Sequence, residues 1–526
     1  MIRQWFGVLS ADVPGGFWVW IVLILIGWFT AWFVYRTSEI VDRRKFIKWL
    51  MWIFFLSIFI YGGLWWMFRP PIRHERVVLA SPDGFLRDFS HSQDYAVQYE
   101  AFLKLSRWLP PEKFIVYSPD WVYRVIPKAG LTQKDSIRSF LKRMKADRLV
   151  WVQWNPKSRQ LVCMSEELGR KSGGKNDSYS GKTLSDALEK WVRNFYTEKD
   201  SLKQFARLQR VEFQSTPDQW RQFAQGKLEL FADDLGGAEK SFREILTHSP
   251  HSCLGWAGLS EVYLQKVAAK QARGAYLADD LANTYSTVVN ARKEAPNWSL
   301  VHLFEGDYYI LMEIWSKAQE SLFKSYRLYP NSDALYVSLS RLHPSRLRKI
   351  DFYSAQQTLR RALFMNPASI QGHLFLADLL YRQHDLAKAE KVYKDLLSFN
   401  PDLTDGLMEL GKFYINTTQY PKAQKIFRRL VQKDSANADA IYNLGVIAFL
   451  EGKPDEAIPY FKRALASGNV VNSYLYLAKI YEQKGEIDRA IYFLRKRIHF
   501  KSGPNDPFAE EARKHLVILL NRKAAR

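Results

Sequence analysis

Gly406–Leu430 reads GLMELGKFYINTTQYPKAQKIFRRL, and this stretch decides the fold. Leu407, Leu410, Gly411 and Tyr414 fall three and four residues apart, which places them on one face of a helix. On a second helix Ala423, Phe427 and Leu430 repeat the pattern. The same arrangement recurs along the chain. A small residue returns at Ala318, Ala355, Ala389, Ala423, Ala457 and Ala490, with gaps of 37, 34, 34, 34 and 33 residues. A large apolar residue follows each by four: Leu322, Leu359, Tyr393, Phe427, Phe461 and Leu494. Gly306, Ala377, Gly411, Gly445 and Ala478 supply a second small site, where two helices must cross closely. Pro250, Pro296, Pro330, Pro367 and Pro401 end successive hairpins, because proline lacks an N–H and clashes with the preceding turn. A period near 34 residues denotes stacked helical hairpins, none of which buries its apolar face alone. Such arrays bind along a surface, and each hairpin contacts its neighbours.

This pattern resembles the tetratricopeptide repeat family. The register of the quoted unit continues into Ile441, Leu444, Gly445, Ala457, Phe461 and Ala464. It runs back to Trp256, Leu259 and Tyr263, and to Gly226, Ala238, Phe242 and Pro250. Eight units are expected over 219–502, after a linker helix at 201–218. Two depart from the pattern, through insertions around Val267–Leu281 and His343–Ile350. The resemblance implies a protein or peptide partner on the concave face lined by first helices. Carried over unit by unit, the fifth residues of those helices are Leu303, Leu374, Met408, Tyr442 and Leu475. The ninth residues are Asp307, Asp378, Lys412, Val446 and Lys479. The Lys and Asn with which some family members clamp a terminal carboxylate are not reproduced. An amphipathic helix or an extended segment is the better-matched occupant. The tail, 503–526, reads as a capping helix started by Asp506-Pro507. Its apolar stripe is Phe508, Ala512, Leu516, Leu519 and Leu520.

At the other end, residues 17–35 and 49–68 carry no charged residue. Each run is long enough to span a bilayer, so 1–76 is expected to be a transmembrane helical hairpin. Tryptophans including Trp18, Trp32, Trp49 and Trp65 would anchor it at the interfaces. The connector holds Arg36, Arg43, Arg44, Lys45 and Lys48. Basic short loops favour the cytoplasmic side, which predicts an integral inner- or plasma-membrane protein with extracytoplasmic, periplasmic C-terminal domains. Arg69, Arg73 and Arg76 argue the other way.

Between these parts, 77–200 predicts a small α/β domain. Strands are expected at 76–80, 114–117, 148–154 and 160–164, and helices at 96–108, 133–144 and 183–196. The element order, with Lys145-Ala146-Asp147-Arg148 before the hairpin, resembles the TolB amino-terminal-like domain. No functional residue carries over. The expected fold class is thus mainly α: a transmembrane hairpin, a small α/β domain and an α-solenoid.

The formal charge is +22. Spread over a long solenoid it is met by a solvated surface, and it also suits anionic lipid headgroups or acidic partners; no nucleic-acid signature accompanies it. Ser180-Gly181-Lys182-Thr183 imitates a phosphate loop but has Asn176 where the first glycine belongs. Gly169–Gly181 therefore reads as a flexible polar loop. His248 and His251 straddle Pro250 and cannot share a helix face. Cys163 and Cys253 form neither a disulfide framework nor a metal motif. No cofactor, metal or catalytic constellation is expected. The leading function is a membrane-anchored interaction scaffold or assembly factor. The alternative is a sensor whose α/β domain binds a small ligand and relays its state through the repeats.

Overall fold

The computed structural model describes residues 75–79, 92–108, 114–117, 119, 141, 143–155, 157–168, 175–195, 215–272, 278–468, 470–501 and 506–524. Five strands form one sheet: β1 (Glu75–Leu79), β2 (Phe114–Tyr117), β3 (Arg148–Asn155), β4 (Gln160–Glu167) and β5 (Lys175–Ser180). Its order is β2-β1-β3-β4-β5. β1 pairs in parallel with β2 and β3, and β3, β4 and β5 pair antiparallel. Successive strand residues point to opposite faces. Val77, Leu79, Val116, Val150 and Val152 therefore meet one side, where α1 (Ser92–Trp108) and α2 (Leu184–Phe195) pack. Val78, Ile115, Tyr117 and Leu149 take the other side and belong to one continuous core with the helical repeats.

β5 corrects the reading of Gly169–Gly181 as a flexible loop. Lys175–Ser180 pairs along β4 from Gln160↔Ser180 to Ser165↔Lys175. An edge strand with one solvated face needs no alternating apolar pattern, so Lys-Asn-Asp-Ser-Tyr-Ser gives no strand signal. The expected helix over 133–144 lies largely outside the described residues.

The rest of the described chain is helical. Hairpins are formed by α3 (Pro217–Phe231) with α4 (Leu235–His248), α5 (Cys253–Ala272) with α6 (Ala278–Glu294), and α7 (Ser299–Leu311) with α8 (Trp315–Leu328). α9 (Asp333–Ser340) pairs with α11 (Ala355–Met365) across the short α10 (Pro344–Leu347) and a 3-10 turn at Arg348–Ile350. Next come α12 (Ile370–Arg382) with α13 (Leu386–Phe399) and α14 (Thr404–Asn416) with α15 (Tyr420–Lys433). α16 (Ala438–Leu450) with α17 (Pro454–Gly468) and α18 (Asn472–Gln483) with α19 (Ile487–His499) complete the set, before α20 (Pro507–Ala524). The first insertion lengthens α5 to 20 residues. The second is absorbed by α10 and the 3-10 turn, which ends with Asp351 in the left-handed region at φ 59°.

The alternation of small and large residues explains the stacking. Phe242 on α4 is fully buried, and its ring fills the space left by Gly226 on α3 and Gly258 on α5. A Cβ on Gly226 would stand 2.7 Å from that ring. Gly411 and Phe427 repeat the device in the quoted unit. First helices of neighbouring hairpins also touch directly, α12 with α14 and α14 with α16, and they line the inner face.

Two expectations are corrected here. Among the described residues no helix is long and apolar enough to cross a membrane, so the described fold is a helical solenoid with a small sheet region and contains no transmembrane hairpin. The longest described helix, α5, carries Glu261, Lys266 and Lys270, which break any apolar span. The stretches 17–35 and 49–68 lie outside the described residues. No described helix supports the integral-membrane localisation, or lipid contact through spanning helices. The stripe on α20 is also narrower than expected. Ala509, Ala512 and Leu519 are buried, while Phe508 and Leu520 are exposed.

Candidate functional site

The inner face of the amino-terminal hairpins is not open. The α/β part rests against it. Asn331 Nδ2 donates to the Phe114 carbonyl of β2 at 2.7 Å. Arg76 Nη2 donates to the Phe364 carbonyl at 3.1 Å, and its guanidinium lies 5.0 Å from the Phe364 ring centre. Arg143 reaches the Ser398 carbonyl. On α1, the Tyr99 ring packs 5.3 Å from Phe223 and 6.3 Å from Trp220 of α3. Buried hydrogen bonds to backbone fix orientation more than they add net stability. Asn331→Ala is expected to cost about 1 kcal/mol and to speed hydrogen exchange in β2 while leaving α16–α19 unchanged.

A cavity of about 570 Å³ remains in this seam. That size suits a small ligand. α1, β2, α3, α5, α7, α9 and α12 all contribute to its wall. The wall is mainly aromatic and aliphatic, with a few charged groups. Lys227 Nζ meets Glu261 Oε2 at 2.7 Å. Asp307 bonds Ser338 and faces Arg341, yet burial raises its carboxyl to about 6. Burial likewise raises Glu100 to about 7, against the opposing pull of Lys104 and a bond from Ser185. The buried Tyr329 hydroxyl has no hydrogen-bond partner among the described residues. These groups converge from helices far apart in the sequence, and no local motif announces them.

The raised carboxyls make the seam sensitive to pH. Glu100 holds its proton more tightly in the folded chain than in the unfolded one. Its protonated form is therefore favoured on folding, and stability falls as pH rises from about 4.5 to about 7. Glu100→Gln is expected to flatten this loss and to raise the melting temperature above pH 7. Thermal denaturation between pH 5 and 8 checks it, and a fall identical to that of the unaltered chain would refute it.

The ten residues singled out on first helices divide into three groups. Leu303, Val446 and Leu475 are buried, at 4%, 7% and 3% exposure, and serve packing. Asp307 faces the cavity with Leu303. The others are accessible at least in part. Leu374 and Met408 pack against the core edge. Asp378 pairs with Arg382 at 2.9 Å, and Lys412 with Glu409 at 2.8 Å. Tyr442 packs against the stacked rings of Phe461 (5.8 Å) and Tyr476 (5.9 Å). Lys479 reaches Glu511 of α20 at 3.0 Å. Among the described residues no group of three or more His, Cys, Asp or Glu is placed to hold a metal ion. Cys163 and Cys253 are free thiols, and burial pushes both upward, Cys253 to about 12.

Stacked hairpins with an accessible inner face define a helical-repeat protein, a fold typical of protein–protein interaction scaffolds. Within this class the chain carries tetratricopeptide repeats: the family model described as Tetratricopeptide repeat matches residues 344–403 and 409–472. No curated protein matches in sequence. Among solved structures, the chain is similar to MamA at 20% identity, over 30% of this chain and 91% of that one, with a TM-score of 0.25. It is similar to the APC/C hetero-tetramer Cut9-Hcn1 at 17% identity, over 64% and 65%, with a TM-score of 0.40. It is similar to PilF of Pseudomonas aeruginosa at 14% identity, over 41% and 97%, with a TM-score of 0.32.

Proposed function

We propose that this chain is an interaction scaffold or assembly factor that holds a protein segment on the inner face of its carboxy-terminal repeats. The single observation that supports this is the occupation of the amino-terminal inner face by the chain's own α/β part. That face already accommodates folded polypeptide through Tyr99 against Phe223 of α3, while Asn331 in the turn after α8 and the Phe364 carbonyl of α11 hold the α/β part at its edge. The next first helices, α14, α16 and α18, present Met408, Lys412, Tyr442 and Lys479. An amphipathic segment with apolar anchors and charge at its edge matches that set.

Photo-crosslinking from position 408 of the full chain tests the reading. A discrete protein adduct is expected, and it should weaken when Lys412→Glu and Lys479→Glu are introduced together. Absence of any adduct, or an adduct indifferent to both changes, defeats it.

A second reading is favoured by the cavity. The α/β part would sense a small ligand in the seam, and the ligand would alter how that part sits on the repeats. The unpartnered Tyr329 hydroxyl and the apolar wall support it. A thermal-shift screen of the full chain with nucleotides, glycans and amphiphilic metabolites should find a stabilising compound whose effect drops in Tyr329→Phe. A flat screen removes this reading. The order of strands and helices in the α/β part supports its likeness to a TolB amino-terminal-like domain.

A further inference from the structure

The outer face carries a ladder of positive charge that the scaffold reading does not use. Five residues after the recurring alanine of each second helix stands Arg360 on α11, Lys394 on α13, Arg428 on α15, Lys462 on α17 and Arg495 on α19. All five are exposed. The next residue in each helix is Arg361, Asp395, Arg429, Arg463 or Lys496. Nine of these ten positions are therefore basic, in one register over five consecutive hairpins. The residues directly before the ladder (Leu359, Tyr393, Phe427, Phe461 and Leu494) are buried. A helix turns about 100° per residue, so the ladder points away from the core.

Charge separates by helix type. α11, α13, α15, α17 and α19 hold sixteen Lys and Arg against five Asp and Glu. Their partners α9, α12, α14, α16 and α18 hold three against six. A solvated face requires polarity but not a single sign, and like charges along it repel. α15 has Lys422, Lys425, Arg428, Arg429 and Lys433 with no acidic residue. Lys394 pairs with Glu390, and Arg429 with Asp402. Arg360, Arg428, Lys462 and Arg495 form no ion pair with a described residue.

We infer that this ladder is a second docking surface, for an extended acidic segment of a partner protein rich in Asp and Glu. A row of regularly repeated cations complements a linear polyanion. A single-stranded nucleic acid would also need aromatic platforms for its bases. The large aromatics exposed on these second helices are Phe364, Tyr492 and Phe500 at their margin, confined to the end units, and none lies on α13, α15 or α17. A lipid surface would be served by apolar side chains entering the acyl region, and α15 and α17 expose no large apolar residue.

Fluorescence anisotropy of the full chain with a labelled oligoglutamate peptide decides the matter. Binding is expected to weaken as salt rises, because exposed charges are screened. The triple variant Arg428→Gln, Lys462→Gln, Arg495→Gln should bind about tenfold more weakly. A control triple of exposed residues, Lys157→Gln, Lys182→Gln and Lys240→Gln, removes the same charge elsewhere and should bind as the unaltered chain does. The charge-conserving triple Arg428→Lys, Lys462→Arg, Arg495→Lys should also retain binding, which separates lost charge from lost fold. Equal weakening in the ladder and control triples, or none in the ladder triple, overturns the inference. Ladder-dependent binding of phosphatidylserine vesicles or oligothymidylate that is tighter than peptide binding overturns the choice of partner.

Discussion

Replacing Arg497 with methionine unseats the last helix. Arg497 is 1% exposed, and its Nη2 lies 2.8 Å from both carboxylate oxygens of Asp506. Its Nε donates to Asn472 Oδ1 at 3.1 Å. Asp506 in turn accepts the backbone N–H groups of Phe508 and Ala509 at 3.0 and 3.1 Å, capping α20. One buried ion pair thus joins α18, α19 and the cap of α20. Removing one partner leaves the other charge buried and uncompensated, at a cost of about 3–5 kcal/mol. Replacing both is far milder, since asparagine still caps a helix and no charge stays behind. Arg497→Met should therefore lower the melting temperature and open α20 to protease. Arg497→Met with Asp506→Asn should recover most of the loss. A single variant as stable as the unaltered chain, or a double variant no better than the single, would show that the pair does not hold the cap.

Phe242→Ala is expected to be comparably severe at the opposite end. The ring is fully buried between Gly226 and Gly258 and lies 5.7 Å from the Phe223 ring. Truncation leaves a cavity that two glycines cannot fill, and costs about 3–5 kcal/mol. Nearest-neighbour coupling dominates in repeat arrays, so the damage should be local. Hydrogen exchange is expected to quicken in α3–α6 while α16–α19 stay protected. The reverse substitution is informative too. Gly226→Ala presses a methyl group into the ring, and it should be rescued in part by Phe242→Leu, which gives up volume at that point. Uniform destabilisation along the whole array would falsify the local picture.

The repeats were legible because their signal is local and periodic. Leu410, Gly411, Tyr414, Ala423 and Phe427 each declare a role through spacing alone, and their burial follows that spacing. β1 to β4 were legible for the same reason, since alternating Val, Ile and Leu mark a half-buried strand. β5 was not, because an edge strand takes its order from its neighbour's hydrogen bonds. The stripe on α20 was overread, because periodicity marks a helical face without saying how much of it a partner covers.

The candidate sites divide along the same line. Spacing alone identifies first-helix residues such as Met408, Lys412 and Lys479, and the register of Arg360, Lys394, Arg428, Lys462 and Arg495 is visible once the repeat is aligned. Chain order cannot say that Val446 and Leu475 are buried, that Asp307 faces a cavity, or that Asn331 meets Phe114 across 217 residues. Helix period and small–large alternation are short-range constraints written into neighbouring residues, so the chain alone determined a stack of hairpins. The seating of the sheet on the inner face depends on contacts between distant segments whose energies appear only after both have folded, and tertiary structure alone decided it.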